Sequence, residues 1–314
     1  MQNMKIVFEA ERLSRDFKTA TNDRPLAHFS LKAIDTLLDG VKPRFHIIAG
    51  EPAAGKSTLL LQMADDLASQ GQLVLFFTLE MHPSQLLKKS LARMSAERAH
   101  GGATARPLDL ASISDAQRLS QSEQDALSEL CIEYGHAIAP RIAFLDKGVT
   151  PMDIGILVSR CRQELGVCPV VFIDYLQILQ PNVDDTVPSY LTQLDETQAV
   201  RNVTKNLRYI IDKHRIPAYV ASSINRVSYG KEASSLGALA SSSALEYEAD
   251  SVVFMTVDGQ TPKERIENMT RGMRPIKLSV LKHRYAPPGS ASVFFDAKHA
   301  RFVSEDCAEA LGRP

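Results

Sequence analysis

The chain lacks the features that mark several broad classes of protein. Its 314 residues carry a net charge of -1, so no overall positive charge would draw it to nucleic acid, although a local basic stripe is not excluded. Its four cysteines show neither a C-x-x-C pair nor a metal-ligand spacing. This usage predicts buried or bystander thiols in a reducing compartment rather than a disulfide framework or a zinc site.

Long apolar runs are also missing. None approaches the ~18–20 residues that a membrane-spanning helix needs. The first residues, MQNMKIVFEAERLSRDF, mix acids with bases and do not resemble a secretory signal peptide. We therefore expect a cytoplasmic protein that does not bind membranes. The length is enough for one large α/β domain or two small ones with a sizeable core.

Strand-like and helix-like segments alternate along the chain. Eight short, mostly apolar runs are predicted strands: 45–49, 73–79, 142–145, 170–173, 218–222, 252–255, 276–281 and 291–295. Helical patterns are predicted at 57–69, 83–98, 153–165 and 191–215. The alternation predicts an α/β fold, a mostly parallel sheet flanked by helices. No helical pattern separates the last two strands, which predicts a C-terminal antiparallel hairpin with its turn at 286–289.

Two segments stand apart from this alternation. Residues 1–28 are predicted to be an N-terminal arm or linker, and residues 29–314 the folded domain. The arm is either a frayed tail or a segment that docks on a neighbouring subunit. Residues 99–122 are rich in Ser and Gln and are predicted to form a surface excursion.

The loop after the first predicted strand matches G-x-x-x-x-G-K-[ST]. Backbone N–H groups of residues 53–58 would point at phosphates, and the following helix adds a partial positive charge. Lys56 would reach the β- and γ-phosphates, and the Ser57 hydroxyl would bind Mg²⁺. The predicted nucleotide-binding residues are Gly50, Glu51, Pro52, Ala53, Ala54, Gly55, Lys56, Ser57 and Thr58.

Two acidic residues end other predicted strands. Asp174 follows the apolar run 170–173, which is the form of a Walker B carboxylate at the C-terminal edge of a sheet, so Ser57 and Asp174 are the predicted metal ligands. Tyr175 comes next, where many ATPases have Glu, so the base must lie elsewhere. Glu80 closes the first strand after the loop helix and is the predicted base that polarises water. The plainer alternatives are an Asp that caps a turn and a Glu that begins a helix.

The motifs together resemble the RecA-like ATPase domain of DnaB-type replicative DNA helicases, in the RecA/KaiC superfamily. The resemblance runs in order from Phe29 to Val303. Six segments carry it: EPAAGKS (51–57), FFTLEM (76–81), FIDYLQIL (172–179), SSINR (222–226), LEYEAD (245–250) and KHRYAPPG (282–289). It implies a RecA-like P-loop ATPase core, ATP and Mg²⁺ as cofactors, and DNA helicase activity of the 5'-3' type.

A basic pair near the C-terminus gains a role from this resemblance. Lys282 and Arg284 are two residues apart on a strand, so both should project to the same side. Without the family they would be a solvated pair at a strand end. The resemblance implies that they are catalytic fingers, alongside Lys56 and Glu80, which reach the γ-phosphate bound by the adjacent subunit. A ring, most simply a hexamer, is therefore implied.

The sequence departs from the family where coupling to DNA is expected. Ser223 stands where the family usually has a Gln that senses the γ-phosphate. The DNA-contacting loop, close to Asp-Leu-Arg-Glu-Ser-Gly in the family, reads Ala-Leu-Ala-Ser-Ser-Ser at 238–243. The predicted nucleic-acid contacts are Arg226, Lys231, Ser241, Ser242 and Ser243. An ordinary flexible loop is the alternative.

Two functions are consistent with these residues. The first is a ring motor that hydrolyses ATP, translocates on single-stranded DNA and unwinds duplex, with a loader or another replication protein as a further partner. The second is a RecA- or KaiC-like ATPase scaffold that acts on a protein and has no helicase activity. The changed loop favours the second. No Asn-Lys-x-Asp guanine motif occurs, which argues against a GTPase.

Overall fold

One mixed sheet organises the part of the chain that the computed structural model describes, residues 24–101, 106–181, 195–223 and 242–311. Its strands are β1 (Phe45–Gly50), β2 (Val74–Thr78), β3 (Ile142–Leu145), β4 (Val170–Asp174), β5 (Ala218–Ser222), β6 (Ser251–Val257), β7 (Met273–His283), β8 (Ser290–Asp296) and β9 (Arg301–Val303). Their order is β3-β2-β4-β5-β1-β6-β7-β8-β9. The strands from β3 to β6 in this order are parallel, and the pairs from β6 to β9 are antiparallel. The predicted α/β fold and its C-terminal hairpin are confirmed.

Helices cover both faces of this sheet. They are α1 (Lys32–Leu38), α2 (Lys56–Ser69), α3 (Pro83–His100), α4 (Leu110–Ser114), α5 (Gln121–Ala137), α6 (Pro151–Leu165), α7 (Glu196–His214), α8 (Ser242–Glu248), α9 (Pro262–Thr270) and α10 (Glu305–Ala310). Side chains from α1 to α5 pack on one face, and those from α6 to α8 on the other. None of the helices described is both long and apolar enough to cross a bilayer.

Burial on both faces explains why the central strands read as apolar runs. Every residue of β1, β2, β4 and β5 is buried. The edge strand β3 is only partly buried, and β7 alternates over much of its length because helices cover it less completely. Helix starts follow the sequence signals as well: α3 and α6 begin with Pro after the capping residues His82 and Thr150.

A row of neighbouring rings, three pairs stacked and one tilted, crosses five parallel strands. Each strand contributes one ring, and the rings come from residues that are paired across the sheet: His46, Tyr219, Phe172, Phe76 and Phe144. Neighbouring ring centroids are 4.9, 5.1, 5.9 and 5.6 Å apart along the row. These separations are within the favourable range for aromatic pairs. The row thereby links the parallel strands whose carboxyl ends carry the candidate site.

The structure differs from the sequence-based prediction most clearly between β2 and β3, and it adds the short helices α1, α8, α9 and α10, which were not predicted. Residues predicted as a surface excursion contain α4 and bury the side chains of Leu108, Ile113 and Leu119. The helix α5, which was not predicted, follows directly, and β9 was also missed because it is only three residues long. The division at residue 28 stays a prediction, since residues 1–23 are outside the described part.

Candidate active site

The phosphate-loop motif forms a tight turn between β1 and α2. Gly50 ends the strand, and a Cβ there would lie 2.5 Å from the carbonyl oxygen of Met255. Gly55 precedes the helix with a φ of 92°, in the left-handed region that favours glycine. Glu51 is held by an ion pair with Arg265 on α9, at 2.6 Å. Neighbouring residues of β6 and α9 therefore hold the start of the loop.

Lys56 turns back over this loop. Its Nζ donates to the carbonyl oxygens of Gly50 and Glu51, at 2.9 and 3.1 Å. Burial lowers the pKa of Lys56, and the nearby charges of Asp174, Glu80 and Glu51 partly oppose that shift. An anionic ligand beside the ammonium group would favour its charged form.

Asp174 ends β4 beside the loop and is 2 % exposed. Burial raises the pKa of its carboxyl group, while a hydrogen bond from the Ser57 hydroxyl lowers it. Its Oδ2 atom is buried without a hydrogen-bond partner. A hydroxyl and an unsatisfied carboxylate oxygen are the donors that Mg²⁺ accepts alongside substrate phosphates and water, so these residues fit the ion.

Glu80 and Lys89 close the side of the site towards β2. Glu80 follows β2, is exposed, and lines the same cavity as Asp174. Lys89, on α3, approaches the Thr58 hydroxyl at 3.5 Å, and burial lowers the pKa of its ammonium group against the charges of Asp174 and Glu80. Sequence reasoning missed Lys89. The one sequence feature that could have pointed to it is the Lys88–Lys89 pair early in α3. The sequence does not tell which of the two lysines faces the cavity.

These side chains line a single open cavity of about 630 Å³. It is lined by Pro52, Ala53, Gly55, Lys56, Ser57, Thr58, Glu80, Lys89, Asp174, Tyr175, Ser223, Arg274 and Phe295. The structure thus brings the loop, both acidic residues and Ser223 together. Arg274 and Phe295, from β7 and β8, were not identified from the sequence. The volume is in the range of small-ligand sites.

Ser223 lines the cavity, and its backbone belongs to a short polar network. Its backbone N–H donates to the side-chain oxygen of Gln177 at 3.3 Å, and the Gln177 amide donates to the Ser222 hydroxyl at 2.9 Å. Gln177 belongs to the Asp-Tyr-Leu-Gln segment after β4. The end of β5 is therefore tied to the strand that carries Asp174.

Lys282 and Arg284 lie away from this cavity. Arg284 is level with the start of β1. Its backbone N–H donates to the carbonyl oxygen of Asp250, and the backbone N–H of Asp250 donates to the carbonyl oxygen of Phe45, the first residue of β1. The phosphate loop begins at the other end of β1, roughly 16 Å along the strand at 3.3 Å per residue. Both basic side chains contact backbone carbonyls at the end of α8, including that of Tyr247. Arg284 also pairs with Asp250, at 3.3 Å.

The predicted nucleic-acid contacts fall where the structure offers no description. Arg226, Lys231 and Ser241 are outside the described residues. Ser242 and Ser243 begin α8, but their side chains are outside the described part as well. The role of all five stays a prediction.

Comparison with known proteins gives a consistent result. The DnaB-like helicase C-terminal domain family matches residues 28–304. The replicative DNA helicase DnaB of Pasteurella multocida is 24% identical over 275 residues, covering 86% of this chain and 53% of the relative. The one from Rickettsia bellii is 28% identical over 295 residues, covering 82% and 53%. The chain thus spans about half the length of these curated relatives.

Solved structures share the fold. The ATPase domain of G40P superposes with a TM-score of 0.76 at 20% identity, covering 96% of this chain and 99% of that one. A KaiC-like protein from Pyrococcus horikoshii gives 0.51 at 15%, covering 89% and 96%. The family match covers most of the residues and implies nucleotide binding. The chain belongs to the DnaB-like helicase C-terminal domain family.

Proposed function

We propose that this chain is the ATP-hydrolysing motor of a ring, most simply a hexamer, that translocates on single-stranded DNA and unwinds duplex. The observation that carries the proposal is the charge arrangement of the cavity. Two lysines and two carboxylates converge beside a phosphate loop whose Glu51 side chain pairs with Arg265. This is the set of groups that phosphoryl transfer from a nucleoside triphosphate requires.

Each group has a distinct role in this proposal. The loop amides and Lys56 bind the β- and γ-phosphates, and Lys89 lies where it would add positive charge near Thr58. Ser57 and Asp174 would hold Mg²⁺, which neutralises charge on the phosphates when bound. Glu80 accepts a hydrogen bond from the attacking water and orients it. No Glu follows Asp174, so Glu80 is the carboxylate left for this task.

The opposite placement of Lys282 and Arg284 supports action in trans. Arg284 is level with the start of β1, and the Lys282 ammonium group is held at the end of α8, so neither serves its own cavity without a large movement. Stacking copies head to tail would bring this end of one subunit towards the loop end of the next. A finger supplied in trans makes hydrolysis depend on assembly.

A second function has one observation in its favour. Ser223 replaces a longer side chain at the cavity, and its backbone is instead tied to Gln177. Weaker coupling between hydrolysis and the loop that follows β5 would suit an ATPase scaffold that acts on a protein. The likeness to a KaiC-like fold is compatible with this alternative.

The ATPase rate, measured with and without single-stranded DNA across a salt series, tests the proposal. A motor on DNA should be stimulated by the strand, and its affinity should fall with salt by a log–log slope of about 0.7 per phosphate contacted. A stable nucleotide-dependent oligomer that neither binds the strand at low salt nor responds to it would select the scaffold instead.

A further inference from the structure

A buried carboxylate that the cavity does not use lies beside Arg284. Asp250 stands between α8 and β6 and is 2 % exposed. Its backbone N–H donates to the carbonyl oxygen of Phe45, and its carbonyl oxygen accepts from the backbone N–H of Arg284. Its side chain is fixed as well, because Oδ2 accepts from the backbone N–H of Phe45 at 2.8 Å. The carboxylate therefore has a defined direction at the start of β1.

Two arginines share this carboxylate. Nη1 of Arg208, on α7, pairs with Oδ2 at 2.8 Å, and Nη1 of Arg284 pairs with Oδ1 at 3.3 Å. Arg208 is half-buried and makes a second ion pair, with Asp212 at 2.7 Å, whereas Arg284 is exposed. A buried charge is costly unless it is paired, so Asp250 requires cations at this place. Arg208 serves one oxygen from inside the fold and leaves the other to hold an arginine at the surface.

The way in which Arg284 is held leaves it able to bind an anion. Its Nη2 donates to the carbonyl oxygen of Tyr247, at the end of α8. A guanidinium group has five N–H donors in a planar fork, so the contacts with Asp250 and Tyr247 leave donors for a phosphate. Lys282 lies beside it and contacts the carbonyl oxygens of Glu246 and Tyr247. Burial lowers the pKa of Lys282 and the charge of Arg284 adds to this shift, whereas Asp250 opposes it and so offsets the repulsion between the two cations.

We propose that Asp250 is the positioning residue of the finger, which holds the Arg284 guanidinium group at the surface in the orientation that meets the γ-phosphate of the adjacent copy. This rests on the proposed function, in particular on the action of Arg284 in trans, and adds the residue that prepares the finger. A long side chain loses conformational freedom when it is fixed, and the buried carboxylate fixes it before the subunits close on nucleotide. Asp250 itself does not touch nucleotide. Its contribution to turnover therefore exists only while Arg284 is present.

Steady-state ATPase rates of the full chain with Mg²⁺ and ATP test this on two backgrounds. In the otherwise unmodified chain, Asp250→Asn keeps the size of the side chain and removes its charge. It should lower kcat by ~10–100-fold, the cost of misplacing a catalytic group. The KM for ATP should stay the same, because the phosphate loop of each copy is untouched. In the Arg284→Ala background, Asp250→Asn should change the residual kcat by less than about two-fold, because the finger through which it acts is gone.

Two further variants separate positioning from an effect on the fold. Asp212→Asn removes a carboxylate from Arg208 without touching Arg284, so it should leave kcat unchanged. Arg208→Met disturbs the Asp250 carboxylate from its other side, and it replaces Asp250→Asn if that variant does not bind fluorescent nucleotide. It should lower kcat when Arg284 is present and have no further effect in Arg284→Ala.

The outcomes distinguish this inference from the function on which it rests. Equal losses on the two backgrounds would mean that Asp250 acts on the fold and not through Arg284, which overturns the inference. Normal turnover by Asp250→Asn beside a strong loss in Arg284→Ala would overturn it as well, and the finger would stand. Normal turnover by Arg284→Ala would remove the finger itself. An unmodified chain that hydrolyses no ATP would overturn the proposed function.

Discussion

Glu80 is the residue on which the proposed hydrolysis depends most directly. Glu80→Gln keeps the size and polarity of the side chain and removes its ability to accept a proton. We expect nucleotide affinity to stay within about two-fold and turnover to fall by about 10²–10⁴-fold, the usual contribution of a general base. Fluorescent-nucleotide binding and phosphate release measure the two quantities. The control is Glu267→Gln, an exposed acid on α9, and a variant at Glu80 that still turns over would remove it as the base.

His46 makes folding sensitive to acid. It is fully buried, its Nδ1 is 2.7 Å from the Ser251 hydroxyl, and its Nε2 has no partner. Burial lowers its pKa to about 3, with Arg44 and His283 acting in the same direction and Asp250 against it. In the unfolded chain the pKa is about 6.5. Between these two values the unfolded chain binds the extra proton, so stability is lost as pH falls through this window.

Urea unfolding at several pH values tests this prediction. The loss due to His46 should approach ~1.4 kcal/mol per pH unit below about pH 6.5. His46→Gln should therefore become less destabilising, relative to the unmodified protein, as pH falls towards 4. His136→Gln, at an exposed position on α5, should show no such trend. Parallel pH profiles for the His46 variant and the unmodified protein would contradict it.

The sequence predicts some residues of the site better than others for a physical reason. Gly50 to Thr58 are contiguous in the sequence, so their spacing alone predicts how they surround a phosphate. Asp174 and Glu80 could be predicted because one ends an apolar strand and the other closely follows one, at the edge where ligands bind. Lys89 and Arg274 could not, because their places depend on how α3 and β7 pack against the loop, and one-dimensional spacing does not record that.

At the scale of elements, the ring row ties the parallel strands together. Phe172 lies in its middle, on β4, and stacks on both Phe76 and Tyr219. Phe172→Ala should reduce the free energy of unfolding by about 3–5 kcal/mol, the cost of a large core truncation. Phe144→Ala, at the partly exposed edge strand β3, should cost clearly less. Denaturant unfolding of both variants measures this, and equal losses would show that the row has no special centre.

Strands were predicted more reliably than the helices between them. Each of the predicted strands is buried or pairs with buried neighbours. Burial on both faces of the sheet requires a continuous apolar run, which is easily recognised in the sequence. The stretch before and including α5 reads differently: it packs through a few separated side chains such as Leu119 and Leu130 and exposes the rest. Its many exposed Ser and Gln residues obscured the spacing of the buried side chains, so a region with helices and buried residues was predicted as a surface excursion.

At the scale of the whole molecule, the proposed action of Arg284 in trans predicts complementation between two inactive variants. In this proposal, Lys56→Ala subunits lack phosphate binding and Arg284→Ala subunits lack the finger. Co-expressed in equal amounts, they should form mixed rings with roughly a quarter of the normal number of complete sites, if copies pair head to tail at random. Steady-state ATPase rates measure this against each variant alone. A mixture as inactive as either parent would contradict action in trans.

If Arg284 acts in trans as proposed, each copy takes part in two sites, one at each end of β1. A copy altered at both Lys56 and Arg284 would disable its own site and that of its neighbour, so activity would fall with the square of the remaining normal fraction. A copy altered at Lys56 alone would lower it only in proportion. In genetic terms, the doubly altered allele would be the more strongly dominant of the two, although neither change disturbs the core of the fold.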